Sequence, residues 1–95
     1  MPMVYVLSDA GTTSANGSYT QEMILQNDGK SYFVKGLNEA FIFWNSGIEA
    51  WLVGSVLGQV GGSWYVKQED TELPPLTGWA TYAGTLPVPT VIVEG

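Results

Sequence analysis

Turn-forming residues punctuate this sequence roughly every ten positions, the spacing of short antiparallel strands. They fall at Ala15-Asn16-Gly17, Asn27-Asp28-Gly29, Gly36-Leu37-Asn38, Asn45-Ser46-Gly47, Gly61-Gly62, Pro74-Pro75 and Thr77-Gly78. The segments between are rich in β-branched and aromatic residues, which suit a pleated, half-buried surface. The pattern predicts an all-β chain: a small antiparallel meander closing into a barrel or sandwich of about six to eight short strands. Asn16-Gly17 and Asn27-Asp28-Gly29 suit the positive φ angles that tight hairpins demand.

Strands are expected at 3–7, 18–25, 31–35, 40–44, 50–56, 63–67, 79–82 and 90–93. Ala40-Phe41-Ile42-Phe43-Trp44 is apolar on both parities, as in a central strand covered on both faces. In Ser63-Trp64-Tyr65-Val66-Lys67, alternation sends Trp64 and Val66 one way and Tyr65 and Lys67 the other. Ile48, Trp51 and Leu52 stand at helical spacing, but Val53, Gly54 and Val56 disfavour a helix, so strand is the reading for 48–58. Pro87 and Pro89 lack N–H donors and place the approach to the last strand at an edge or in a connector.

Ninety-five residues make one domain, 1–95, because a second core needs more chain. Composition excludes much chemistry. There is no cysteine, hence no disulfide framework, thiol nucleophile or thiolate metal site. With no histidine there is no Ser-His-Asp or Cys-His catalysis and no imidazole ligand. Three Lys/Arg against nine Asp/Glu leave a net charge of −6, which makes nucleic acid a poor partner. Hydrophobic residues form 45% of the chain and charged ones 13%, so it is no disordered acidic tail. The start, Met1-Pro2-Met3, lacks a basic region and a long apolar run, so no signal peptide is expected. No stretch reaches the roughly 18 apolar residues of a membrane helix. The chain reads as a complete small product made in the cytoplasm.

Candidate chemistry is sparse. Glu69-Asp70-Thr71-Glu72 is the one acidic cluster, but it matches no EF-hand loop and precedes Pro74, as solvated loops do. The hydroxyl-rich segment 8–17 lacks the lysine of a phosphate-binding loop and reads as a linker. No catalytic residues, metal ligands or cofactor are expected. Four Trp, five Tyr and three Phe are the stronger signal. Without staples, such a chain spends its rings on the core. The rival use is a platform for sugar rings at Trp44 and Trp51, with Asn38, Asn45 and Glu49 gripping hydroxyls; Tyr65 and Tyr82 are read as better surface candidates than any tryptophan.

Asn16-Gly17-Ser18-Tyr19, Asn27-Asp28-Gly29-Lys30-Ser31-Tyr32, Ile42-Phe43-Trp44, Trp51, Trp64-Tyr65, Pro74-Pro75-Leu76-Thr77-Gly78-Trp79 and Gly84-Thr85-Leu86-Pro87-Val88-Pro89 together form a recognisable pattern. The pattern resembles a short aromatic-rich β-module that recurs in tail-fibre and other structural proteins of phages and large viruses, and in surface proteins of unicellular organisms. The resemblance runs from about Ala10 to Pro89. It implies a structural or adhesive role without catalytic residues. Such proteins often carry several copies, whereas this chain has one, with a longer glycine-rich connection at 53–62.

The expected function is therefore a non-enzymatic virion structural module, a capsid decoration or tail/fibre-associated protein assembled in the host cytoplasm. It would act through apolar and edge-strand contacts, as a homo-oligomer or against capsid or tail proteins. Val4, Val6, Leu57, Val60, Val91 and Val93 are the expected contact residues, since apolar strands near both ends of the chain invite pairing. The alternative is a carbohydrate- or receptor-binding module using exposed aromatics.

Overall fold

In the computed structural model, residues 2–94 are described, and Met1 and Gly95 at the ends of the predicted domain lie outside them. Eight strands form one antiparallel sheet: β1 (Val4–Ser8), β2 (Gly17–Asn27), β3 (Lys30–Lys35), β4 (Ala40–Asn45), β5 (Ala50–Gly54), β6 (Tyr65–Lys67), β7 (Ala80–Thr81) and β8 (Thr90–Glu94). Their order is β7-β6-β5-β4-β3-β2-β1-β8. The first seven strands are thus a simple meander, and the last returns to pair with the first. The sheet curls into a half-barrel, with a radius of gyration of 11.6 Å. A single 3₁₀ turn, Thr13–Ala15, interrupts the 8–17 linker. No helix among the described residues is long and apolar enough to cross a membrane.

Turn chemistry sets the register. Asp28 and Gly29 both have positive φ (55° and 88°) and close a two-residue hairpin on the Asn27–Lys30 pair. Residues 36–39 and 46–49 are four-residue connections, each with a non-glycine residue in the left-handed region, Asn38 and Glu49. Asn45 steadies the second by accepting the Ile48 N–H on its side-chain oxygen at 3.2 Å.

Strand alternation divides the apolar residues between two faces. Tyr5, Leu7, Tyr19, Phe33, Ile42, Trp44, Trp51, Val53, Tyr65 and Val91 fill the concave face, joined by Trp79 from a loop. Tyr32, Phe41, Phe43 and Leu52 form a second cluster on the convex face, where Ile48, Leu57, Val60 and Val66 cover them. This is why β4 is apolar on both parities. Between β5 and β6 the chain folds back as the 55–64 connection over its own convex face.

Trp64 departs from the expected alternation. It packs with the concave cluster, alongside Tyr65 and away from Val66, because β6 starts only at Tyr65. Tyr65, expected near the surface, is fully buried.

The buried aromatics also hold the loops that close the half-barrel. Their rings fill the core while their polar tips need partners. The Tyr5 hydroxyl donates to the Pro74 carbonyl at 2.8 Å, and Trp79 Nε1 donates to the Pro75 carbonyl at 2.8 Å. Tyr65 donates to the Thr85 carbonyl at 2.6 Å and accepts the Thr12 N–H at 2.9 Å. Tyr19 donates to the Ala15 carbonyl at 2.7 Å. No buried side-chain polar atom among the described residues lacks a partner.

Candidate functional site

Trp44 and Trp51 face each other across β4 and β5, ring centroids 5.8 Å apart at 60°. Both are buried, at 4% and 0% exposure, and the edge-to-face arrangement presents no flat surface. The expected sugar platform is corrected on this point, since stacking needs open, roughly coplanar faces. Trp51 Nε1 donates to Thr71 Oγ1 at 3.1 Å. The Lys30 ammonium lies 3.7 Å from the centroid of the Trp44 ring, taking the place a ligand would need. Glu49 is exposed at its turn, and Asn45 is committed to the Ile48 N–H, so neither forms a gripping pair over the rings. Asn38 stands at the tip of a different hairpin.

The acidic run is split rather than clustered. Asp70 pairs with Lys30 at 2.6 Å and Glu69 with Lys67 at 3.3 Å, while the third lysine, Lys35, donates to the Ser14 carbonyl at 2.8 Å. All three cations therefore tie loops to the sheet. No group of three or more acidic, histidine or cysteine side chains suited to a metal occurs among the described residues. A polar cleft of about 120 Å³ opens beside Lys30, lined by Gln21, Gln26, Gly29, Ser31, Glu72 and Leu73. No aromatic residue borders it. Asp28, on the surface, is held below the usual carboxylate range by hydrogen bonding to Ser46.

The expected contact residues fall into three groups. Val91 is buried in the concave core, and Leu57 and Val60 pack on the chain's own convex cluster. Much of their apolar surface is already covered within the chain, nearly all of it for Val91 and part of it for the half-buried Leu57 and Val60. Val4 and Val6 are half-buried on the convex side of β1, which lies inside the sheet between β2 and β8. Val93 is exposed, on β8, and β8 is an edge strand. Among the described residues no backbone group of Thr90–Glu94 bonds to anything but β1.

Comparison with known protein families, curated proteins and solved structures finds no match.

Exposed apolar residues that the sequence did not single out include one on β8 and a run in β2. Ile92, opposite Val6 on the convex face, is 49% exposed. Met23, Ile24 and Leu25 are 59%, 89% and 60% exposed, in a bulge where residues 22–25 of β2 face only Tyr32 of β3. The Glu22 carboxylate accepts the Ile24 N–H at 2.9 Å, a local bond that competes with the strand ladder. Three consecutive large apolar residues break a period-two pattern, and that break is the signal in the sequence.

Proposed function

We propose that this chain is a non-enzymatic assembly module, a virion structural subunit of the capsid-decoration or tail/fibre-associated kind. Its partners on this reading are further protein subunits, met in a particle built in the host cytoplasm. The aromatic-rich turn pattern supports the virion class. The free edge of β8 carries the assembly role: a five-residue strand paired with β1 on one side, whose outward backbone groups have no partner among the described residues, with Ile92 and Val93 exposed and a single charge at the far end. Such an edge is a template for another strand unless something covers it.

The bulge adds to this. If a partner buried the exposed parts of Met23, Ile24 and Leu25, roughly two whole side chains would leave water, a gain of about 3–6 kcal/mol.

Size-exclusion chromatography with light scattering on the full chain tests the reading. A mass that is a multiple of 10.3 kDa at micromolar concentration is expected. A clean monomer would count against it.

A further inference from the structure

The two edges of the sheet differ. β7 is two residues long, and the chain beyond it is anchored by the Tyr82 and Ala83 N–H groups on the Trp64 and Ser63 carbonyls, each at 2.8 Å. A very short edge offers little to a partner. β8 is five residues long and carries no lysine, proline or bulge. Its central sequence, Val91-Ile92-Val93, reads the same in both directions.

A segment with that symmetry is complementary to itself in an antiparallel pair. We propose that the β8 edge takes a second copy of this chain, β8 against β8, about a two-fold axis through Ile92. This inference rests on the assembly reading and names its partner.

The register follows from the symmetry. Ile92 faces Ile92 of the second copy, Val91 faces Val93, and Thr90 faces Glu94. Residues opposite one another point to the same face, so the convex sides join. Val6 lies beside Ile92 there, and the pairing builds a row of two Val6 and two Ile92 side chains. On the concave side, the exposed Val93 packs against the buried Val91 of the other copy.

Charge disfavours registers centred nearer Glu94, and registers centred nearer Thr90 bring in Pro89, which has no N–H to donate. Copies at −6 repel, so a contact must keep carboxylates apart. Centred on Ile92, the two Glu94 residues lie about 13 Å apart along the strands. That exceeds the screening length of about 8 Å at physiological ionic strength. A shift centring the axis nearer Glu94 would bring the carboxylates together.

Cysteine cross-linking tests the proposal, because the chain has no cysteine of its own. Opposed Cα atoms in an antiparallel pair lie about 4.5–5.5 Å apart, within disulfide reach. The Ile92→Cys chain should oxidise to a covalent dimer at least about tenfold faster than an Ile24→Cys chain, because paired thiols meet at a high effective concentration. Ile24 is the harder control, being 89% exposed and open to random collision. Ile92→Lys, at a half-exposed position that the fold tolerates, should raise the dissociation constant at least about tenfold, since it sets like charges across the axis.

Equal cross-linking rates, or an oligomer that persists unchanged in Ile92→Lys, would overturn the β8 pairing and leave the assembly reading standing. A wild-type chain that is monomeric throughout would overturn both.

Discussion

Replacing Lys30 with methionine should loosen the loop that roofs the concave core. The Lys30 ammonium does three things at once: it sits over the Trp44 ring, pairs with Asp70 and donates to the Thr71 carbonyl at 2.5 Å. Its side chain is only 19% exposed, so the ring contact is worth about 1–2 kcal/mol. The bond to Thr71 contributes about 1 kcal/mol, because that carbonyl also accepts Trp51 Nε1 at 3.3 Å and is not orphaned by the change. Asp70 is 74% exposed in its side chain, and pairs of that kind contribute about 0–1 kcal/mol. Methionine keeps the apolar stem and removes a partly desolvated charge, which returns part of the loss.

The net cost of Lys30→Met is about 2 kcal/mol, or a fall in Tm of about 8–16 °C for a domain of this size. Urea unfolding followed by tryptophan fluorescence measures it, with Asp70→Asn beside it. Asp70→Asn should cost at most about 1 kcal/mol and lose that effect between about 0.1 M and about 1 M salt, while the larger part of the Lys30→Met cost persists. If the two variants cost the same, or if salt erases the Lys30→Met effect, Lys30 is only a surface ion pair. The account of Trp44 as its seat would then be wrong.

The triple change Met23→Gln, Ile24→Thr and Leu25→Gln should leave the stability of the isolated chain within about 0.5 kcal/mol, because these side chains already face water. A loss above about 2 kcal/mol in thermal or urea unfolding would place them in a core instead. Alkaline pH should destabilise the fold in a defined window. Burial raises Tyr5 and Tyr19 above the ordinary tyrosine value of 10.0, so these hydroxyls stay neutral when folded and ionise first when unfolded. Their contribution is fully present below pH 10.0 and is lost as pH rises above it, at up to about 1.4 kcal/mol per pH unit for each. Urea midpoints read on either side of that value, with Tyr19→Phe showing a shallower fall, check this; a midpoint that stays flat through the window contradicts the burial argument.

The strands were largely legible because each segment between turns carries its own local signal. Both parities of β4 are apolar, and the sheet is covered on both faces there. Asp28-Gly29 alone dictates the β2–β3 hairpin. What failed was long-range. Leu57 and Val60 sit in a glycine-rich connection, and nothing local says whether such residues meet a partner or fold back on their own sheet. Tyr65 was misplaced for a related reason: its hydroxyl suggested solvent, but Thr12 and Thr85, far away in sequence, supply its partners inside. That the edge is β8, with β1 inside, depended on which end strand also pairs with β2. The bulge shows in the sequence only as the lost alternation at Met23-Ile24-Leu25, because most of residues 18–25 still suit a strand.

The site and the fold draw on one inventory of rings. Each tryptophan or tyrosine that closes a loop has its face in the core and its polar atom on a loop carbonyl or hydroxyl, so it cannot also offer a face to a ligand. Trp51 illustrates the conflict: turning it outward would break its bond to Thr71 and free the loop that Lys30 holds. A chain with no disulfide and few charges has no substitute for those bonds. Surface recognition is then left to groups that the core does not require, among them strand backbone and the apolar residues of the β8 edge and the β2 bulge. These suit another protein surface better than a small polar ligand, because they offer pairing geometry and area but few fixed side-chain donors.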